Sequence, residues 1–146
     1  MPLTKLRYSL LVSLLVAASN GFAAQENVTE GALSLEGSNW QLVQVTVLGG
    51  FVFVPDDHSK YVLNFRSGNR LTGTSDCNRI SGSWLVNGTE LHFDPFATTR
   101  SLCVAGSLHN NLVLYLKDVN AYSMRDGHLI LTTPTEGVEI EFESRG

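Results

Sequence analysis

The chain has 146 residues, and its 14 acidic residues outnumber its 10 basic ones for a net charge of −4. That balance argues against nucleic acid and anionic membrane surfaces as partners. The length suits one domain, and a hydrophobic fraction of 43% is enough to fill one real core.

The first 23 residues read as a secretory signal peptide of bacterial type. Met1 to Tyr8 carries Lys5 and Arg7 and no acid, Ser9 to Ala18 is apolar, and Ser19 to Ala24 is rich in small residues. Cleavage is expected after Ala23. The apolar run is about half the roughly twenty residues needed to cross a bilayer, and no cysteine follows the cleavage point to carry a lipid. The protein is therefore expected to be exported to the periplasm, with no transmembrane segment. Residues 24–36 form a polar, glycine-containing lead-in, and residues 37–146 form the domain.

Within the domain the hydrophobic pattern has mostly period two. Trp40 to Val47 reads as a strand whose apolar phase shifts between Leu42 and Val43, as a β-bulge would make it do. Tyr61, Leu63 and Phe65 alternate with Val62, Asn64 and Arg66. Leu91 and Phe93 alternate with His92 and Asp94. Val138 to Glu143 is apolar on one face and acidic on the other. Such alternation marks antiparallel strands with one buried and one wet face. Asn87-Gly88 and Asp126-Gly127 have the chemistry of tight hairpins, while Ser67-Gly68-Asn69 and Thr135-Glu136-Gly137 suit longer turns.

One segment changes period. Leu108, Leu112, Tyr115 and Leu116 form a helical stripe of about three turns, with Ser107 available as N-cap and Lys117 near the C-terminal end. The expected fold is α+β and mainly β: a curved antiparallel sheet or partial barrel covered by one α-helix. Trp84 and Leu112 are expected to meet in its core.

Phe51-Val52-Phe53-Val54 breaks the alternation. Four consecutive apolar residues cannot all face one core from a strand. Either the protein covers both faces of this strand, or an apolar patch stays exposed as a contact surface for a protein partner or a small hydrophobic ligand.

Chemistry-bearing residues are sparse. His58, His92, His109 and His128 share no spacing, and Asp56-Asp57-His58 reads as a solvated loop, so neither a metal nor another cofactor is expected. No Gly-x-Ser-x-Gly elbow is present. Cys77 and Cys103 are the only cysteines, and in an exported domain an even pair is read as a disulfide. The chain-entropy estimate for closing the loop between them is about 3–4 kcal/mol. No Cys-x-x-Cys motif supports a reactive thiol. Asn78, Ser81, Thr98, Thr99 and Arg100 gather near the cysteines in sequence. They make either a ligand site, with Arg100 pairing an anion, or a network that satisfies backbone groups at a strand-to-helix corner. The network reading is preferred.

Certain runs resemble a known family. Gly37-x-x-Trp40-x-Leu42 precedes Leu71-x-Gly73-x-x-x-Cys77-Asn78-x-x-x-Gly82-x-Trp84. Asn87-Gly88-x-x-Leu91-x-Phe93 and Thr98-Thr99-Arg100-x-x-Cys103 follow. In this order they are similar to the META domain, the family of heat-shock HslJ-type envelope proteins, from about Leu35 to Phe142. Gly73, Cys77, Asn78, Gly82, Trp84, Thr99, Arg100 and Cys103 carry the likeness. The stretch Val47 to Asp57 is longer and more apolar than the family pattern. The resemblance implies a mostly antiparallel β fold with a helix, no settled catalytic activity, and associations with stress response and antibiotic tolerance. The expected function is non-catalytic binding in the envelope. The alternative is a hydrolase with no local motif, which a base within hydrogen-bond reach of a nucleophile in a cleft would reveal.

Overall fold

The computed structural model describes residues 34–134 and 137–146. The expected signal peptide, most of the lead-in, and Thr135 and Glu136 of the last turn lie outside the described residues.

Nine strands form one antiparallel sheet, in the order β2-β1-β3-β4-β5-β6-β7-β8-β9. They are β1 (Asn39–Val47), β2 (Phe51–Phe53), β3 (Tyr61–Arg66), β4 (Arg70–Ser75), β5 (Asn78–Asn87), β6 (Glu90–Thr98), β7 (Ala121–Arg125), β8 (His128–Thr132) and β9 (Glu139–Ser144). The sheet curls until β9 pairs with β1, Leu42 opposite Phe142 and Val45 opposite Ile140. The register slips between Leu42 and Gln44, the bulge expected from the phase shift. The other edge of β1 is divided: Asn39–Gln41 pair with β3, and Val45–Val47 pair with β2. The ring is thin at one place, where β6 and β7 share the single pair Glu90 and Ala121. After Thr98, at the other end of β6, the chain leaves the sheet to build the helix α1 (His109–Lys117), which packs on β6 and β4.

Turn chemistry sets the hairpins. Asp126 and Gly127 both have positive φ, 52° and 79°, as a two-residue loop matched to strand twist requires. Asn87 proves to be the last residue of β5, paired with Glu90, so the loop is Gly88-Thr89, one residue later than expected.

The inward face of the ring is the core. Leu42, Val45, Leu63, Phe65, Leu71, Ile80, Trp84, Leu91, Phe93, Leu129, Leu131, Ile140 and Phe142 form one buried cluster that includes Leu112 and Leu116 of α1. Trp84 and Leu112 thus share a core. Phe65 packs edge-on against the Trp84 ring at 5.6 Å between centroids. Leu35, placed in the lead-in by sequence, is buried in the same cluster, and Gly37 N–H donates to Phe65 O at 2.7 Å. The helix has nine residues and starts one position later than a Ser107 cap implies. Leu108 holds the cap position and makes no side-chain cap bond. Its own N–H donates to the buried Tyr61 hydroxyl at 2.9 Å, while the Ser107 hydroxyl accepts from His109 N–H at 3.2 Å. Two side chains, one of them from β3, thereby satisfy helix-start donors.

Candidate functional site

β5 begins immediately after Cys77, and the chain leaving β6 returns beside it. Cys77 and Cys103 are joined as a disulfide, Cα atoms 5.5 Å apart and 26 positions apart in sequence. Asn78 organises this corner. It is 1% exposed. Its Oδ1 accepts from Thr99 Oγ1 at 2.9 Å and Ser101 N–H at 2.7 Å, and its Nδ2 donates to Ser101 O at 3.0 Å. Thr99 Oγ1 accepts in turn from Arg79 N–H at 2.9 Å. The amide therefore clamps the return loop by three polar contacts, with its oxygen and nitrogen both engaged. Ser81, Thr98 and Arg100 stand apart from this network. Arg100 is exposed, and no ion pair reaches it among the described residues. Ser101, which sequence reading did not single out, takes its place. Its contacts use backbone atoms, so no residue-type signal marks it.

The two motif glycines have a steric reason. A Cβ on Gly73 would sit 2.0 Å from Val62 O, and one on Gly82 would sit 2.2 Å from Pro95 O. Both neighbours are backbone of the adjacent strand, so the close approach admits only glycine at these two positions. Trp84 follows a register slip after Gly82, which turns its ring into the core, where Nε1 donates to Arg66 O at 3.3 Å. Gly73, Gly82 and Trp84 are thus parts of the scaffold that holds the disulfide corner.

Phe51, Val52, Phe53 and Val54 are 69%, 49%, 39% and 57% exposed. Coverage of both faces of this strand by the protein is therefore excluded for the described residues. Val52 lies beside Thr46, while Phe51 and Phe53 lie beside Val47 and Val45. Phe51 and Phe53 continue the inner face of β1 past the end of the core, and Val52 continues its outer face. Leu48 at the hairpin tip is also exposed. Among the described residues β2 pairs only with β1, and none of them pairs with the backbone groups of its other edge.

A base meets a serine hydroxyl at Asp57, whose Oδ1 accepts from the exposed Ser59 Oγ at 2.6 Å in the loop after β2, and at His109. His109 Nδ1 and Ser75 Oγ are hydrogen-bonded at 2.9 Å. Ser75 is fully buried, so no substrate reaches it. The pair ties the start of α1 to the end of β4, and its members are too far apart in sequence to be matched by spacing. His128 Nδ1 bonds Glu141 Oε1 at 2.6 Å across β8 and β9, and Arg125 pairs with Glu139. In the loop after β2, Lys60 bonds Asp56 at 3.0 Å and holds its carboxyl below the usual 3.8, while Ser59 does the same for Asp57. Among the described residues no group of three or more His, Cys, Asp or Glu gathers as a metal site.

Surface clefts are shallow and mixed. One of about 400 Å³ is lined by His92, Phe93, Asp94, Phe96, Lys117 and Val119. Another, of about 270 Å³, is more apolar and lies over Leu35, Trp84, Val86 and Tyr122. No helix among the described residues is long and apolar enough to cross a membrane.

A family model described as META domain matches residues 19–145. Among solved structures, the NMR structure of a protein from Burkholderia xenovorans is similar, with a TM-score of 0.66 and 19% identity over 80% of this chain and 87% of that one. The crystal structure of a DUF4847 family protein from Bacteroides vulgatus is similar with a TM-score of 0.54 and 15% identity, over 73% of this chain and 92% of that one. A third protein solved by NMR gives a TM-score of 0.53 and 22% identity, covering 73% and 88% respectively. At these identities the likeness is one of fold. No curated protein matches the chain.

Proposed function

The chain belongs to the META domain family, and from that membership we propose that it is an exported, non-catalytic binding protein of the bacterial envelope. Its contact surface is the hairpin arm of β1 and β2. The observation that carries this reading is the exposure of Phe51, Val52, Phe53 and Val54 together, on and just after a strand with one edge that no described residue pairs. Its occupant is an extended apolar segment of a partner polypeptide. The free edge offers a row of N–H and C=O groups for strand addition, and the apolar side chains on both faces supply area. No ionisable residue occurs from Leu42 to Pro55, so a charged segment would lose solvation on docking and gain no counter-charge. Contribution to stress or antibiotic tolerance would follow from capture of such segments. The Ser75–His109 pair does not support the hydrolase alternative, because the hydroxyl is buried.

The test replaces Val52 and Val54 together with serine. Both side chains are exposed, so melting should move by no more than surface changes do, about 0.5 kcal/mol each. Binding of a fluorescent, uncharged β-forming peptide should weaken at least about tenfold, or roughly 1.4 kcal/mol. A large loss of stability would show that the arm belongs to the core. Unchanged peptide binding, or binding of small apolar dyes with no peptide binding, would refute strand capture. Self-association by sedimentation, lost in the same variant, would make a second copy the occupant. Fractionation tests the compartment: recovery from the cytoplasm alone would refute export.

A further inference from the structure

We propose that the Cys77–Cys103 disulfide is a thiol–disulfide exchange site, with Cys77 the sulfur that is attacked and Cys103 the sulfur that leaves. The two sulfurs are not equivalent. Cys77 is exposed and Cys103 is half-buried. The N–H of Cys77 points at Cys103 Sγ from 3.3 Å. Asn78 Nδ2 lies 3.4 Å from Cys103 Sγ and 3.6 Å from Cys77 Sγ. Cys103 Sγ therefore faces two N–H donors. Cys77 Sγ shares the weaker of them and has the Ser101 carbonyl oxygen 3.7 Å away, closer than the 4.0 Å from that oxygen to Cys103 Sγ. Donors stabilise a thiolate and a carbonyl oxygen disfavours one, and the better leaving group is the thiol whose anion is more stable.

The corner is also built to survive opening. Asn78 holds Thr99 and Ser101 through three hydrogen bonds that do not involve the disulfide. The return loop stays docked when the sulfur–sulfur bond is cut, so the reduced form keeps its fold and the reaction reverses. In the forward direction an external cysteinyl thiolate attacks Cys77 Sγ. A new bond forms between the external sulfur and Cys77, the Cys77–Cys103 bond breaks, and Cys103 departs as the thiolate. A second external thiol, deprotonated by solvent, attacks the external sulfur of the mixed disulfide and releases Cys77 as a thiolate. Two external thiols become one external disulfide, and this chain gains two electrons and two protons as a dithiol. The donor is a cysteine of another polypeptide: Leu102 and Val104, both exposed, flank Cys103 and offer an apolar footing for the residues beside an attacking cysteine.

The experiment exposes the oxidised protein to glutathione, quenches with an alkylating agent at short times, and maps both cysteines by mass spectrometry while far-UV circular dichroism follows the fold. Glutathione should be found on Cys77 and the alkyl group on Cys103, with this arrangement in at least about tenfold excess over the reverse. Reduction should proceed without loss of secondary structure. Glutathione on Cys103, or reduction only in step with unfolding, would overturn the assignment. A cysteine peptide with apolar flanks should react several-fold faster than glutathione, and replacing Leu102 and Val104 with serine should remove that advantage. Equal rates with the two thiols would overturn the polypeptide donor.

Discussion

Deleting a single oxygen, Tyr61→Phe, tests the idea that the sheet starts the helix. The ring of Tyr61 is fully buried, and phenylalanine fills the same space, so no cavity term enters. What disappears is the acceptor for Leu108 N–H, 2.9 Å away. That N–H precedes the first helical residue and is partly buried, so water replaces the lost partner only in part. A buried donor left unpaired costs about 1–3 kcal/mol, and partial solvent access puts the expected loss near the lower end, about 1–2 kcal/mol. For a domain of this size that lowers Tm by roughly 4–10 °C. Urea unfolding followed by tryptophan fluorescence measures it directly, because Trp40 and Trp84 are both buried. Tyr115→Phe is the internal control, since Tyr115 accepts no such bond and only packs against the core from α1. A loss below about 0.3 kcal/mol for Tyr61→Phe, or equal losses for the two variants, would show that α1 needs no anchor on β3.

Leu112→Ala should cost about 2–5 kcal/mol, because this side chain is buried in the cluster where helix and sheet meet. A cost near 0.5 kcal/mol, as at surface sites, would make the helix peripheral. Gly82→Ala places a Cβ against Pro95 O, backbone that cannot move aside without shifting β6. The expected loss is about 1–3 kcal/mol or more, and a neutral result in the same urea assay would mean that the two strands separate freely.

The sequence alone determined most of what depends on near neighbours. Period-two alternation identified β3, β6 and β9, because a pleated strand turns successive side chains to opposite faces. A slip of one residue in that phase marked the bulge in β1, and the Leu108–Leu116 stripe marked α1. Asp126-Gly127 placed a hairpin to the residue, since few other pairs accept two positive φ angles. The two cysteines and their flanking residues carried the family. Tertiary structure decided what depends on which residues meet. Pairing of β1 with β9 joins the two ends of the domain, and no local pattern encodes a partner so distant in the chain. Gly73 and Gly82 stood out in the sequence only as motif residues, and the reason for glycine there is the neighbouring strand backbone within reach of a Cβ. Ser107 offered good cap chemistry, yet the helix begins one residue later, because the Tyr61 hydroxyl reaches Leu108 from another strand. Ser75 and His109 carried no mutual spacing and meet only because β4 ends beneath the start of α1. Phe51-Val52-Phe53-Val54 would have the same composition whether buried on both faces or bare. Its exposure follows from position: β2 pairs with the far end of β1, beyond the place where β3 turns away, and no element among the described residues covers it.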